Sequence, residues 1–435
     1  MSNFTTIFDY IIRIIQSIIK VIVNEKERTR YKFFFDMVFG ILKSSSLILN
    51  DIGYSLNEDI SLKKVNERLY KNLSKELDIS ILHRYINKVF SYTKDEKIIF
   101  MVDDSDIIKP YGKAFENLGT VRDGSSLKNE YEKGYLITSI SCLSKQTKHP
   151  IPVYNKIYSE TLAGFKSNNI ITKKALNIVF EHLKERQGIF VFDRGFDDVK
   201  LMNFIIENEQ NFIIRIRKNR LLKRKNKHEK IFNIAKRRKG KVVIPIKIKG
   251  KETTFKVSHI EGNINNLKER VTIIFSYLGE NDDPMVLITN LKITSKEELI
   301  KTSLHYISRW KIEELFRFKK VQFGLENFRV KSLTSINNLS FLLDISILIM
   351  VHIIETQNRN IVYSEIIKNS KKIKDTVSIE YYQLITGIMT IFARNKKGVK
   401  NYQKIERWKT EDFNLFNSLE LNEKKRVRVK QIKKL

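Results

Sequence analysis

Four polar residues recur along one predicted helix, Lys296–Phe323, at spacings that could serve phosphate chemistry. With about 100° between successive residues, Tyr306, Arg309, Glu313 and Lys320 fall within an arc of about 60°. A guanidinium forks onto phosphate oxygens, an ammonium acts as a point charge, and a carboxylate can hold a metal ion. Apolar residues fall on roughly the opposite side: Leu304, Ile307, Leu315, Phe318 and Val321. A solvated face with ion pairs between residues four apart is an equally good interpretation of the pattern taken alone.

Two further acids could complete a metal site with Glu313. Asp103 and Asp193 each end an apolar run typical of a buried strand, so both are expected at the edge of a sheet. Three such carboxylates could bind two Mg²⁺ ions about 3.5–4 Å apart, one activating a water or a 3′-hydroxyl and the other stabilising the leaving oxygen. The alternative is that each acid caps a helix or forms a turn. Asp104 and Asp106 lie close by, but Asp103 is preferred because it ends the apolar run. A strand would also point Asp104 to the other face.

Hydrophobic periodicity predicts the elements that would position these residues. Residues 1–95 have helical spacing, residues 97–210 combine strands with a strand–helix alternation, and residues 211–292 alternate like antiparallel strands. Helical spacing resumes at Ser295. The predicted fold class is therefore α/β, with a mixed sheet interrupted by a β-rich insertion. The predicted division is a helical N-terminal DNA-binding region at 1–95, a catalytic core at 96–210 and 293–335, an insertion subdomain at 211–292 and a helical C-terminal region at 336–435.

Three segments allow a structural or a DNA-binding interpretation. The helix Ser61–Leu73 is either the second helix of a helix-turn-helix or part of an ordinary helical hairpin. The basic segment 218–227 and the basic tail 424–434 are either solvated charge runs or contacts to a DNA backbone. The N-terminal run Ile11–Val23 contains Arg13, Gln16 and Lys20, so we expect an amphipathic helix rather than a membrane span or a signal peptide.

Composition bounds the class of partner. The 435 residues carry 80 Lys+Arg against 49 Asp+Glu, a formal net charge of +31, which favours a polyanion such as DNA. A genome rich in A and T would also raise the lysine content, but it would not favour Lys over Asp and Glu so heavily. The single cysteine, Cys142, excludes an intramolecular disulfide and a cysteine-based zinc cluster, and it fits a reducing cytoplasm.

The spacing of these motifs resembles a known family. Tyr306-x2-Arg309-x3-Glu313-x6-Lys320 is similar to the signature of the cut-and-paste DDE transposases of bacterial insertion sequences, the group that includes the Tn-five and Tn-ten enzymes. The segments 102–107 and 192–197 resemble that family's first and second acidic motifs. The resemblance runs from about residue 97 to 330, with a weaker similarity in the N-terminal helices.

The resemblance implies an RNase H-like catalytic core with a β insertion. It implies Asp103, Asp193 and Glu313 as Mg²⁺ or Mn²⁺ ligands, and Tyr306, Arg309 and Lys320 as contacts to the transposon-end backbone. It further implies cleavage at the element's ends, a hairpin intermediate, strand transfer into target DNA and a homodimer on paired ends.

One feature departs from the family pattern. Some relatives stack a flipped base on a tryptophan of the insertion, whereas this chain has only Trp310 and Trp408, both outside it. Phe275 or Tyr277 could replace that tryptophan, but core packing is the simpler interpretation of both. This departure puts the hairpin step in question and leaves the three acids unaffected.

Two other hypotheses for the function of the chain are an RNase H-like nuclease and a catalytically inactive or repurposed DNA-binding protein.

Overall fold

The computed structural model describes residues 3–399 apart from 25, 94–96, 125–129, 218, 225–226, 249–250, 279–282, 358–360, 373–378 and 396–397. The predicted basic tail at 424–434 and Trp408 therefore lie outside the described residues, and the basic segment 218–227 is described only in part.

The N-terminal region is helical, as predicted. It contains α1 (Asn3–Ile22), α2 (Arg28–Ser44), α3 (Leu49–Ser55), α4 (Leu62–Leu73) and α5 (Ile79–Phe90). α1 is amphipathic, because its isoleucines at 11, 15, 18 and 19 are buried while Gln16 and Lys20 remain at least partly accessible. The helices α3 and α4 pack on each other, and a DNA-binding role for this pair stays a prediction.

A mixed sheet forms the centre of the protein. Its first part contains β1 (Lys97–Ile108), β2 (Gly119–Arg122), β3 (Tyr131–Leu143), β4 (Pro150–Tyr158), α6 (Asn168–Leu183), β5 (Gln187–Phe192), α7 (Val199–Glu207) and β6 (Asn211–Arg215). β3 pairs antiparallel with β1 and β4, whereas β5 pairs parallel with β1 and with β6. The mixed α/β class predicted from the sequence is confirmed.

The β-rich segment extends this sheet. It contains β7 (Leu221–Arg224), β8 (Lys227–Lys230), α8 (Ile231–Arg237), β9 (Val242–Ile248), β10 (Lys251–Gly262), β11 (Val271–Tyr277) and β12 (Met285–Thr289). β12 pairs antiparallel with β6, and β11, β10 and β9 follow in order outward. β7 and β8 form a separate hairpin, which includes part of the basic segment. The strand β6, which the predicted boundary assigned to the insertion, therefore joins the two groups of strands.

The predicted single helix Lys296–Phe323 is wrong in one respect, because the structure divides it. α9 (Lys296–Ile307) ends before Ser308, and α10 (Trp310–Gln322) begins after Arg309. At the break, backbone N–H groups reach back three residues, from Arg309 to Tyr306 and from Ile312 to Arg309, which tightens the turn locally. The predicted apolar face is also broken, since Leu304 and Val321 are 41% and 71% exposed. A single rotation of 100° per residue does not hold across this break.

The C-terminal region is helical, as predicted, with α11 (Leu333–Gln357), α12 (Ile361–Lys368) and α13 (Tyr381–Arg394). α11 is long and apolar enough to cross a membrane by length and composition, but most of it is buried inside the protein. It packs on β4, α2 and α4, as the core helix of a globular protein does. It thereby joins the N-terminal helices to the central sheet.

Candidate active site

The two strand acids lie side by side. Val102 of β1 is the register partner of Phe192 of β5 in a parallel pair, so Asp103 and Asp193 are the next residues on adjacent strands. Neighbouring strands lie about 4.7–4.9 Å apart. The prediction that Asp103 ends its strand is wrong, because β1 continues to Ile108 through its pairing with β3. Pairing with β5 nevertheless stops at Val102, so Asp103 stands where the two strands separate.

Arg309 connects Asp103 to Glu313. Its Nη1 lies 3.2 Å from Asp103 Oδ2, and its Nη2 lies 2.6 Å from Glu313 Oε1. The guanidinium is buried, whereas the Glu313 side chain is 51% exposed in the first turn of α10. The break between α9 and α10 places Arg309 immediately before α10, four residues from Glu313. The Glu313 carboxylate is therefore accessible, while the Arg309 guanidinium that contacts it is buried.

Burial and like charge act together on Asp103. Burial raises the pKa of Asp103 to about 7; the Arg309 guanidinium opposes this increase, and the carboxylates of Asp104, Glu313 and Asp193 add to it. The register of β1 with β5 and the two contacts of Arg309 bring the three predicted acids into one region of the fold. A cation placed among them would favour the ionised form of Asp103.

Asp104 and Asp106 have their own partners. Asp104 Oδ1 accepts a hydrogen bond of 2.6 Å from the Thr138 hydroxyl on β3, and burial raises the pKa of Asp104 to about 6. Asp106 Oδ2 lies 3.2 Å from Lys320 Nζ, which also lies 3.1 Å from Glu326 Oε1. Asp103 is thus the acid of this cluster that contacts Arg309, and its choice as a metal ligand stays a prediction.

Tyr306 is placed differently from the expected exposed face. It is only 4% exposed and belongs to an apolar cluster that includes Ile189, Val191 and Leu299. Burial raises the pKa of the Tyr306 hydroxyl to about 12, while Arg309 acts in the opposite direction. Tyr306 therefore lies in the apolar cluster, and its hydroxyl is near enough to Arg309 and Asp193 for their charges to affect its pKa.

Residues 165–349 match the family model described as Transposase DDE domain. This match supports a transposase, and it includes Asp193 and Glu313 but not Asp103. No curated protein matches the chain.

Among solved structures, the crystal structure of the NurA nuclease from Sulfolobus solfataricus is similar at 9% sequence identity, covering 60% of this chain and 94% of that one. Its TM-score is 0.25, so this likeness carries no argument about the fold.

The acids fit a hard divalent cation by donor type. All three supply carboxylate oxygens, which Mg²⁺ and Mn²⁺ prefer. Their separations are wider than a closed ligand cage, because no group of three His, Cys, Asp or Glu side chains within the described part of the chain is close enough to hold a metal ion. Arg309 currently supplies the positive charge between Asp103 and Glu313.

The aromatic residues considered for the insertion have structural contacts. Phe275 is fully buried in the core. The Tyr277 hydroxyl donates a hydrogen bond of 2.7 Å to the Ala235 carbonyl on α8. The interpretation of Phe275 as a core residue is confirmed. Trp310 is partly exposed at the start of α10, three residues from Glu313.

Sequence reasoning missed two polar contacts near the site. Asp197, in the same acidic motif as Asp193, accepts hydrogen bonds from the Arg217 backbone N–H at 2.9 Å and from the Arg220 guanidinium. Asp344 of α11 pairs with Lys319 of α10 in the protein interior. A lone acid within the apolar run of α11 was an available signal, because a buried carboxylate requires a partner.

Proposed function

We propose that this chain is a DNA transposase that binds the ends of its mobile element and catalyses metal-dependent strand cleavage and strand transfer by a cut-and-paste route. The observation that carries the proposal is the register of the parallel strands β1 and β5, in which Asp103 and Asp193 each follow a residue of the last pair, with Arg309 in contact with both Asp103 and Glu313. The family match over 165–349 supports the same reaction class. As the family resemblance implies, the substrate is double-stranded DNA, at the element's ends and at the target, bound by a homodimer.

The proposed catalytic core is RNase H-like. Three antiparallel strands, β4, β3 and β1, followed by the parallel strands β5 and β6, support this assignment. We propose that β9–β12 and the β7–β8 hairpin form the insertion, here continuous with the core sheet. The helices before and after the sheet would bind DNA and support the core, respectively.

Asp103, Asp193 and Glu313 would hold two Mg²⁺ or Mn²⁺ ions. When bound, such ions lower the pKa of a coordinated water or 3′-hydroxyl and stabilise the charge on the leaving oxygen. Glu313 is the most exposed of the three and so would meet the substrate first. A cation bound among the acids would lower the raised pKa of Asp103 further than Arg309 does and so favour its ionised form.

The basic residues of the site would orient the phosphodiester. Lys320, which is partly exposed, would exchange Asp106 and Glu326 for a phosphate oxygen. Arg309 would hold Asp103 and Glu313 in position and present its remaining donors to the same phosphate. Tyr306 would support Arg309 from the apolar cluster beneath it.

The test is metal-dependent nicking of a labelled duplex that carries the end sequence flanking the gene. Glu313→Gln and Asp193→Asn are expected to retain binding of this duplex and to lose nicking in Mg²⁺ and Mn²⁺. Glu314→Gln is the matched control, because Glu314 is the next residue on α10 and pairs with Arg317 outside the acid cluster. Near-normal nicking by Glu313→Gln would remove Glu313 from the site. Binding without any Asp193-dependent nicking would instead identify a DNA-binding protein that does not cut.

A further inference from the structure

A pocket beside the acid cluster is lined by three arginines. Arg194, Arg215 and Arg217 surround a cavity of about 220 Å³, with Ile231 and Phe232 of α8 on its apolar side. Asp283 also lines it, so the lining contains three basic residues and one acidic residue. Ligand pockets for drug-sized molecules are usually about 300–1,000 Å³, so this cavity suits a smaller anionic group.

Strand register fixes the distance from this pocket to the acids. Phe192 of β5 is the partner of Ile214 of β6, so Arg215 is level with Asp193, as Asp193 is with Asp103. Asp103, Asp193 and Arg215 therefore follow one another along the same sheet edge, about one strand spacing apart at each step. Arg194 follows Asp193 directly in the chain.

These three guanidinium groups have no ion pair or hydrogen bond to a carboxylate among the described residues. Other arginines near the site are paired, as Arg220 is with Asp197 and Arg309 with Asp103. Arg215 influences the nearby Tyr306 hydroxyl only through its charge. Clustered guanidinium groups repel one another, so an anion among them would stabilise the arrangement.

Asp197 holds the pocket wall in place. Its carboxylate accepts from the Arg217 backbone N–H and from the Arg220 guanidinium, which ties the segment after β6 to the loop after β5. That loop also carries Asp193 and Arg194. The position of the pocket relative to Asp193 is therefore set by a buried contact rather than by two independent loops.

We infer that this pocket binds one phosphate of the DNA strand that enters the acid cluster. The inference rests on the proposed function, because it takes DNA as the substrate. Guanidinium forks match phosphate oxygens, and the pocket lies close enough to Asp193 to hold a phosphate near the reacting one along the same strand. Arg194, Arg215 and Arg217 are then binding residues that set where the strand enters, and Asp197 is a positioning residue.

The test is the salt dependence of DNA affinity, measured in EDTA with a short fluorescein-labelled duplex. Each phosphate neutralised on duplex DNA contributes about 0.9 to the slope of log Kd against log salt concentration. Because the three arginines share one phosphate, the triple Arg→Gln variant is expected to lower the slope by about 0.9, and each single variant by a measurable fraction of that amount. Arg186→Gln is the matched control, since Arg186 lies at the opposite end of β5 and contacts Phe90.

Two results would overturn the inference. An unchanged slope in the folded triple variant would mean that the pocket does not meet DNA. A decrease of about 2.7 would mean three separate surface contacts rather than one pocket. If the triple variant does not fold, the single variants decide the question, because an unchanged slope in all three would also overturn the inference. The assay does not depend on cleavage, so a wild-type chain that binds DNA without nicking it refutes the proposed catalysis and leaves the pocket standing.

Discussion

The buried pair Lys319–Asp344 gives a sharp prediction about what holds α10 on the sheet. Both side chains are fully or almost fully buried, and Lys319 Nζ lies 2.6 Å from Asp344 Oδ1. Asp344 also accepts from Asn155 on β4, and Asn155 in turn accepts from the Ser139 hydroxyl on β3. Ser139 is the register partner of Asp103. A continuous polar path therefore runs from α10 and α11 to the strand beside Asp103.

The expected loss of unfolding free energy depends on which charge stays buried without a partner. Asp344→Leu leaves the Lys319 ammonium buried and unpaired, and breaking a buried ion pair in this way costs about 3–5 kcal/mol. The double variant Lys319→Met/Asp344→Leu removes both charges, and such replacements are often neutral or stabilising. Asn155 would then lose its acceptor, which costs about 1–3 kcal/mol. The double variant is thus expected to be more stable than Asp344→Leu alone.

The assay is urea unfolding of the wild type, the two single variants and the double variant, analysed as a double-mutant cycle. The exposed pair Glu314–Arg317 on the same helix is the control, and its coupling energy is expected to be below about 1 kcal/mol. A loss of less than about 1 kcal/mol of unfolding free energy in Asp344→Leu would refute the reasoning, because removing one partner of a buried ion pair is expected to leave the other charge buried and uncompensated.

Three further predictions concern single positions. Burial, and then His83 at 2.7 Å, hold the pKa of His182 below its ordinary value. The unfolded chain takes up the proton first, so the urea midpoint should fall as the pH drops below about 6.5. His182→Gln should weaken this dependence without removing it, because burial also lowers the pKa values of His305 and His352; an unchanged slope would show that His182 does not contribute. Gly324, with φ of +63°, should lose about 1–2 kcal/mol of unfolding free energy on substitution by Ala and less by Asn; equal losses would exclude backbone strain as the cause. Arg309→Met should lower the thermal midpoint in EDTA and enlarge its increase with Mn²⁺, because the acids lose their guanidinium; an increase equal to that of the wild type would show that Arg309 does not balance their charge.

Much of the fold was predictable because the strands are strongly apolar. The runs before Asp103 and Asp193 are buried strands, and the regions predicted to be helical at both ends of the chain contain α1–α5 and α11–α13. Register was not predictable, since it depends on which strands become neighbours. The alignment of Asp103, Asp193 and Arg215 across neighbouring strands therefore appears only in the folded sheet.

The division between α9 and α10 could not be predicted from composition. No proline or glycine occurs between Tyr306 and Glu313, and Ser308 and Arg309 keep helical backbone angles. The change consists of hydrogen bonds that reach back three residues instead of four, and tertiary contacts decide it. Asp344 was missed for a related reason: its partner Lys319 lies in a different helix, and only packing brings the two together.

The break also changes how the four signature residues relate to one another. On a straight helix, Tyr306 would share the accessible face of Glu313, yet the tyrosine lies in the apolar cluster while the glutamate is half exposed. Arg309 occupies the break itself and is the residue that contacts Asp103 on the sheet and Glu313 on α10. A rigid continuous helix would fix all four side chains by rotation alone. With two short helices, Arg309 contacts Asp103 on the sheet as well as Glu313 on α10, so the position of Glu313 depends on Asp103 as well as on its own helix.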